Sequence, residues 1–186
     1  MNLPNKLTVA RIVLTPFYLA AMVINFKYHY LVAAIIFIVA SITDFLDGKI
    51  ARKNNLVTTF GKLCDPVADK MLTTAALLAF MQLGICNVWI VMIILTREFL
   101  VTSFRLVASA QGVVIPAGIW GKLKTASQMI FSIAIMLGIH FAEAFSWDFE
   151  IFSLVSNILL WITAVLTVIS GVKYLVDGKK VIDFSM

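Results

Sequence analysis

The sequence predicts an all-α protein, a polytopic membrane bundle of six transmembrane helices with both termini in the cytosol. Three observations carry this. Of 186 residues, 61% are hydrophobic and only 13% charged, with a mean hydropathy of +0.99, whereas a soluble domain is about half apolar and about a quarter charged. A chain this short cannot hide so much apolar surface from water when folded. A soluble globule, a disordered chain and a disulfide scaffold are therefore excluded. The second observation is a set of six apolar stretches, each near the ~20 residues that span hydrocarbon. The third is the distribution of Lys and Arg. With the N-terminus inside, 13 of the 15 cations fall on the cytoplasmic side, Arg97 lies within a span and only Lys27 falls outside.

The stretches lie at 7–25, 31–51, 66–83, 88–108, 120–140 and 152–173. Pro4 suits the first turn of helix one. Lys6 followed by an apolar run resembles a signal peptide, but Arg11 and Pro16 interrupt the run and a second span follows at once, which argues against cleavage. Helix two runs to a charged end at Asp44 and Asp47, and helix three opens near Asp65 and Pro66. Helix four carries Arg97 and Glu98, with Glu98 expected to point elsewhere than its neighbour, the alternative for Arg97 being a buried ion pair with Glu98 or another neighbour. Pro116 and Gly118 mark the turn before helix five. Helix six follows acidic outer residues Glu143, Asp148 and Glu150. Connections are short, no repeat is visible, and residues 1–186 read as one membrane domain. Cys64 and Cys86 fall near opposite faces of the membrane, which argues against a disulfide. His29 and His140 lie near the outer face and need no functional reading, and Trp89 and Trp147 suit the aromatic belt.

Acidic residues are scarce, yet Asp44, Asp47, Asp65 and Asp69 cluster at the cytoplasmic ends of helices two and three. A charge at the centre of a span costs roughly 2.5–3.5 kcal/mol, less near the interface, and four like charges at one depth repel. Residues three and four apart share a helix face, so Asp44 pairs with Asp47 and Asp65 with Asp69. Two helices joined by a short loop lie antiparallel, which lets these faces meet. Converging carboxylates describe a site for a hard divalent cation, and two ions roughly 3.5–4 Å apart would suit phosphate chemistry. Taken alone, a DxxDG reads equally as helix caps, with Asp65 capping at Pro66. Four aspartates with glycines at fixed places do not. Gly48 and Gly61 permit close approach of a backbone or ligand, and Arg52 can meet a phosphate as a fork of donors.

These residues spell Asp44-x-x-Asp47-Gly48-x-x-Ala51-Arg52, eight residues, then Gly61-x-x-x-Asp65-x-x-x-Asp69. The pattern resembles, at every fixed position, the signature of the CDP-alcohol phosphotransferase family. The opening Asn2-Leu3-Pro4-Asn5-Lys6-Leu7-Thr8 with Arg11, the run from Thr96-Arg97-Glu98-Phe99 through Arg105, and Gly121-Lys122-Leu123-Lys124-Thr125 look like its phosphatidylglycerophosphate synthase branch. That resemblance implies transfer of phosphatidyl from CDP-diacylglycerol to sn-glycerol 3-phosphate with release of CMP. It implies that Asp44, Asp47, Asp65 and Asp69 hold two divalent ions, Mg²⁺ or Mn²⁺, and that Asp69 is also the base for the acceptor hydroxyl. Gly48, Ala51, Arg52 and Gly61 would line the nucleotide pocket. A homodimer in the cell (inner or plasma) membrane, with membrane lipids around it and the active site facing the cytosol, is implied as well. No nucleic-acid partner is expected.

The remaining cations need a role beside this. An intramembrane arginine is a functional-site candidate by default. Arg97 and Arg105 are eight apart and share a face, and Lys122 and Lys124 open helix five, where free N–H groups also attract anions. These four are the expected pocket for an acceptor phosphate. Asn5, Thr8 and Arg11 recur on one face of helix one and could meet the nucleotide, or simply cap and set topology. Other acceptors (inositol phosphate, serine, phosphatidylglycerol) stay open, though the basic cluster favours a phosphorylated one. A divalent-cation transporter would need an acidic path to the other face, which the sequence lacks, and the intact aspartate set argues against an inactive structural subunit.

Overall fold

Local rules set where each helix begins and ends. The computed structural model describes residues 2–53, 59–113 and 118–179, with the side chains of 3, 47–53, 59–60, 62–63 and 179 outside the description. α1 (Leu3–Val23) starts where the Asn2 side chain accepts a hydrogen bond from the Asn5 N–H at 3.2 Å, with Pro4 in its first turn, as expected. α2 (His29–Lys53) begins after a short turn, and the His29 Nδ1–H donates to the Ala21 carbonyl at 3.1 Å, tying the start of α2 to the end of α1. α3 (Thr59–Gln82) ends at a turn in which the Ile85 and Cys86 N–H groups both reach the Phe80 carbonyl and Gly84 takes φ +75°. Asn87 then caps α4 (Val88–Ala110) by accepting from the Trp89 N–H at 3.0 Å. α5 (Ile119–Phe145) starts after Gly118, and α6 (Phe149–Lys179) completes the described chain. Pro116 lies outside the described residues.

One boundary differs from expectation. α3 begins at Thr59, so Pro66 lies inside the helix and Asp65 is not its cap. Apolarity reports only the part of a helix that meets hydrocarbon, and α3 continues past that part. Pro66 has no N–H for the carbonyl four residues back, and the Pro66 carbonyl itself accepts from the Lys70 ammonium at 3.3 Å.

The helices close a ring of neighbours, α1–α2–α5–α6–α4–α3 and back to α1. α2 and α3, which carry the aspartates, touch little directly, and each packs mainly on α1. The aspartate-bearing faces are thus held together through α1 rather than by direct packing of an antiparallel pair. Tyr18, Phe37, Phe80, Ile90 and Met136 are among the buried residues that fill the interior. Asn157 of α6 donates to the Ile85 carbonyl at 2.9 Å, fixing the α3–α4 turn to α6, which packs beside α4.

Among the described residues, four helices are long and apolar enough to cross a membrane: Pro4–Val23, His29–Leu46, Ile119–Phe145 and Phe149–Gly178. α3 and α4 match them in length but carry Asp65, Asp69 and Lys70, and Arg97, Glu98 and Arg105. What sets α4 apart is its charged residues and not a shortage of apolar ones.

The α5–α6 seam is close at Gly138, where an added Cβ would fall 2.5 Å from Cε2 of Phe152. Gly138→Ala should displace that ring and cost about 1–3 kcal/mol, read as a lower melting midpoint of the purified protein in detergent.

Candidate active site

The polar face of α1 points inward. Asn5, Thr8, Arg11 and Thr15 are all buried, with Thr8 and Arg11 each at 1% exposure. Burial at that level demands partners, and they come from the two aspartate helices. Arg11 Nη1 pairs with Asp44 Oδ1 of α2 at 2.5 Å. The Thr8 hydroxyl sits 2.7 Å from Asp65 Oδ1 of α3 and 3.1 Å from the Pro4 carbonyl. It has one proton, so it donates to one of them at a time. α1 therefore orients one carboxylate on each flanking helix. Arg11, considered above only as a nucleotide contact or cap, is the residue that positions Asp44.

α2 runs unbroken through Asp44, Asp47, Gly48, Ala51 and Arg52, so their spacing places them along one helix face. The side chains of Asp47 through Arg52 lie outside the described residues. Asp65 and Asp69 are exposed one turn apart on α3, and Gly61 is buried one turn earlier. The charged groups close enough to act on Asp69 are Asp44, Lys70, Glu98 and Arg11. Among the described residues, no three carboxylate, imidazole or thiol groups gather into a single cage. The donor set is nevertheless all carboxylate oxygen, the chemistry that hard divalent ions select.

A second cluster abuts the first. Glu98 Oε1 accepts from Arg97 Nη1 at 3.0 Å and from Lys124 Nζ at 2.6 Å. Glu98 does not point away from its neighbour. Adjacent helix positions diverge at Cβ, but the long arginine side chain swings back, because a carboxylate in an apolar helix must find cations. Lys124 is only 3% exposed, and Asp69 is among the groups acting on it. The cations and the aspartates thus form one electrostatic centre built from α1, α2, α3, α4 and α5.

Not every expected cation joins it. Lys122 is exposed at the start of α5. Arg105 is exposed and lies over the Tyr174 ring, 5.7 Å from its centroid. Arg97 and Arg105 do share the face toward α6, where they meet Gly171 and Tyr174. The sequence offers an ion pair with Glu98 as the alternative reading of Arg97, and the structure shows that pair; it does not offer the further link from Glu98 to Lys124. His29 and His140 line a cleft of about 540 Å³ with Lys27, Tyr28 and Glu143, at the opposite ends of α1, α2 and α5 from the aspartates. In the turn between α3 and α4, burial pushes the Cys86 thiol up to about 12.

The family model for CDP-alcohol phosphatidyltransferases matches residues 1–169. The chain belongs to that family. It is 41% identical over 185 residues, covering 93% of each chain, to the CDP-diacylglycerol–glycerol-3-phosphate 3-phosphatidyltransferase of Bacillus subtilis (strain 168). A protein of the same name from Rickettsia bellii is 40% identical over 179 residues, 96% of each chain. The probable phosphatidylglycerophosphate synthase of Mycobacterium tuberculosis is 39% identical over 176 residues, 93% of this chain and 79% of that one. The chain is accordingly an enzyme and a membrane protein, and members of its family are generally divalent-cation dependent.

The Arg11–Asp44 pair offers a direct check on how this phosphatidyltransferase is held together. Arg11→Met leaves Asp44 without its main cation and should cost about 1–3 kcal/mol, less than a fully buried pair because Asp44 is 34% exposed. Arg11→Lys should recover part of that loss in a denaturant or thermal midpoint.

Proposed function

We propose that this enzyme transfers the phosphatidyl group of CDP-diacylglycerol to sn-glycerol 3-phosphate, giving phosphatidylglycerophosphate and CMP. The observation that carries the acceptor is the Arg97–Glu98–Lys124 cluster beside Asp69. A phosphorylated alcohol needs a cationic seat for its phosphate and a base at its hydroxyl, and here the two adjoin. Serine brings to such a seat only a carboxylate, with less charge and fewer oxygens than a phosphate dianion. The names of the bacterial relatives support the same acceptor.

In this reading Asp69 accepts the proton of the acceptor hydroxyl as its oxygen attacks, in line, the phosphorus that bears the lipid. The new P–O bond forms as the bond to the CMP oxygen breaks, and CMP leaves. A carboxylate is a weak base, so its contribution depends on geometry within hydrogen-bond reach. Asp44, Asp47, Asp65 and Asp69 would hold the divalent ions, Mg²⁺ or Mn²⁺ and two in number. Bound there, the ions would neutralise the diphosphate and the charge developing on CMP. Arg11 and Thr8 orient the Asp44 and Asp65 carboxylates toward that task. Gly48, Ala51, Arg52 and Gly61, with Asn5 and Thr8 of α1, would line the nucleotide pocket. Arg97 and Lys124 would receive the acceptor phosphate, with Arg105 and Lys122 at the entrance as exposed cations that steer it.

The same reading makes residues 1–186 one domain with all six helices crossing the cell membrane, both termini and the active site in the cytosol. The cation bias supports that orientation, and charges paired within the bundle, as Glu98 is with Arg97 and Lys124, can be carried across.

Purified protein given CDP-diacylglycerol, Mg²⁺ and one labelled acceptor at a time should release CMP with sn-glycerol 3-phosphate and not with serine, inositol phosphate or phosphatidylglycerol. Release with a different member of that panel would reassign the acceptor, and release with none would end the enzymatic reading. Asp69→Asn should lower turnover by roughly 10²–10⁴ while CMP binding persists. Substantial residual turnover removes Asp69 from the role of base.

A further inference from the structure

Gly171 lies in the middle of α6, far from either helix end and with no left-handed backbone to accommodate. A glycine there costs about 1 kcal/mol of helix stability relative to alanine, so its place needs another reason. The Arg97 side chain supplies one. A Cβ on Gly171 would fall 2.8 Å from Arg97 Cγ and 3.7 Å from its Nε, closer at Cγ than packed atoms come. The arginine stem therefore runs through a notch that only glycine leaves open. Beyond the notch the guanidinium passes the first turn of α5, where Nη2 lies 3.9 Å from the position a Cβ on Gly121 would take. At its far end Nη1 is held by Glu98, which also holds Lys124.

Two cations from different helices are thus drawn to a single carboxylate oxygen. Left alone they would repel each other and part. Their summed charge exceeds that of Glu98 by one unit, and the buried Arg97 Nε has no hydrogen-bond partner among the described residues. A buried arginine donor without an acceptor is costly unless a ligand supplies one. An anion with several oxygens, such as a phosphate monoester, meets both needs.

Building on the acceptor proposed above, we infer that Gly171 and Glu98 are positioning residues for that acceptor's phosphate. Gly171 sets the path of the Arg97 stem, and Glu98 sets the separation of the Arg97 and Lys124 charges. Neither has to touch the substrate. Both act through the cations they place, and both leave the nucleotide half of the site alone.

The test reads binding of labelled sn-glycerol 3-phosphate to the detergent-purified protein, so that slow variants still report, with CMP binding measured in parallel. Gly171→Ala should weaken glycerol phosphate binding by about tenfold or more, the scale of disturbing one member of a buried charge cluster. CMP binding should hold within about twofold. In an Arg97→Ala background, Gly171→Ala should add nothing further, because residues acting through a shared partner are non-additive. Glu98→Gln should weaken glycerol phosphate binding on the same scale, and Glu98→Asp should restore part of it. Unchanged acceptor binding in Gly171→Ala and Glu98→Gln, an undiminished Gly171 effect without Arg97, or a parallel fall in CMP binding would each overturn the inference. Wild-type protein that binds CMP but not glycerol phosphate would overturn the acceptor assignment, and this inference with it.

Discussion

Charge inside an apolar bundle must be answered by charge from a neighbouring helix, and the structure around the site follows from that demand. Arg11 at 1% exposure carries a charge whose burial is costly without a counter-ion. Asp44 supplies it across the α1–α2 contact. Glu98 needs cations for the same reason, and it takes one from its own helix and one from α5. Each of these cross-helix pairs is also a tie between elements. The polar centre is therefore part of what fixes the relative placement of the helices around it.

That arrangement divides labour between the two kinds of charge. The aspartates on α2 and α3 are oriented from α1, by a guanidinium and a hydroxyl that belong to one buried helix face. The cations are oriented from α4 and α6, by a carboxylate and by the absence of a side chain at Gly171. A diphosphate and a phosphate monoester ask for different surroundings. The first can be met by carboxylates through divalent ions, the second by donors that need no intermediary. In the function proposed above, the helices supply both.

Six helices were legible in the sequence because each has an apolar stretch of spanning length, and all six appear with ends shifted by a few residues. The start of α3 was misplaced because Pro66 reads as a boundary, while the helix tolerates it one turn or more inside. The aspartates were legible because acids are rare in such a chain and these four keep helical spacing. What joins them was not. Spacing within α2 and α3 says nothing about α1 lying between them, so the roles of Thr8 and Arg11 toward Asp65 and Asp44 needed coordinates. Among the cations, Arg97 was legible from its depth. That Lys124 joins it while Lys122 faces outward follows from helix rotation, and the link through Glu98 depends on side-chain reach.

The uneven spread of charge along the helices bears on how the molecule is put together. α1, α2, α5 and α6 each contain a long apolar stretch with few charges, whereas α3 and α4 carry acids and bases within theirs. Those two are synthesised third and fourth, yet the helices that neutralise their charges include α5, still to come. The contact that answers Glu98 is thus completed by a lysine 26 residues further along the chain, so the charge of the middle helices is satisfied only when α5 has taken its place.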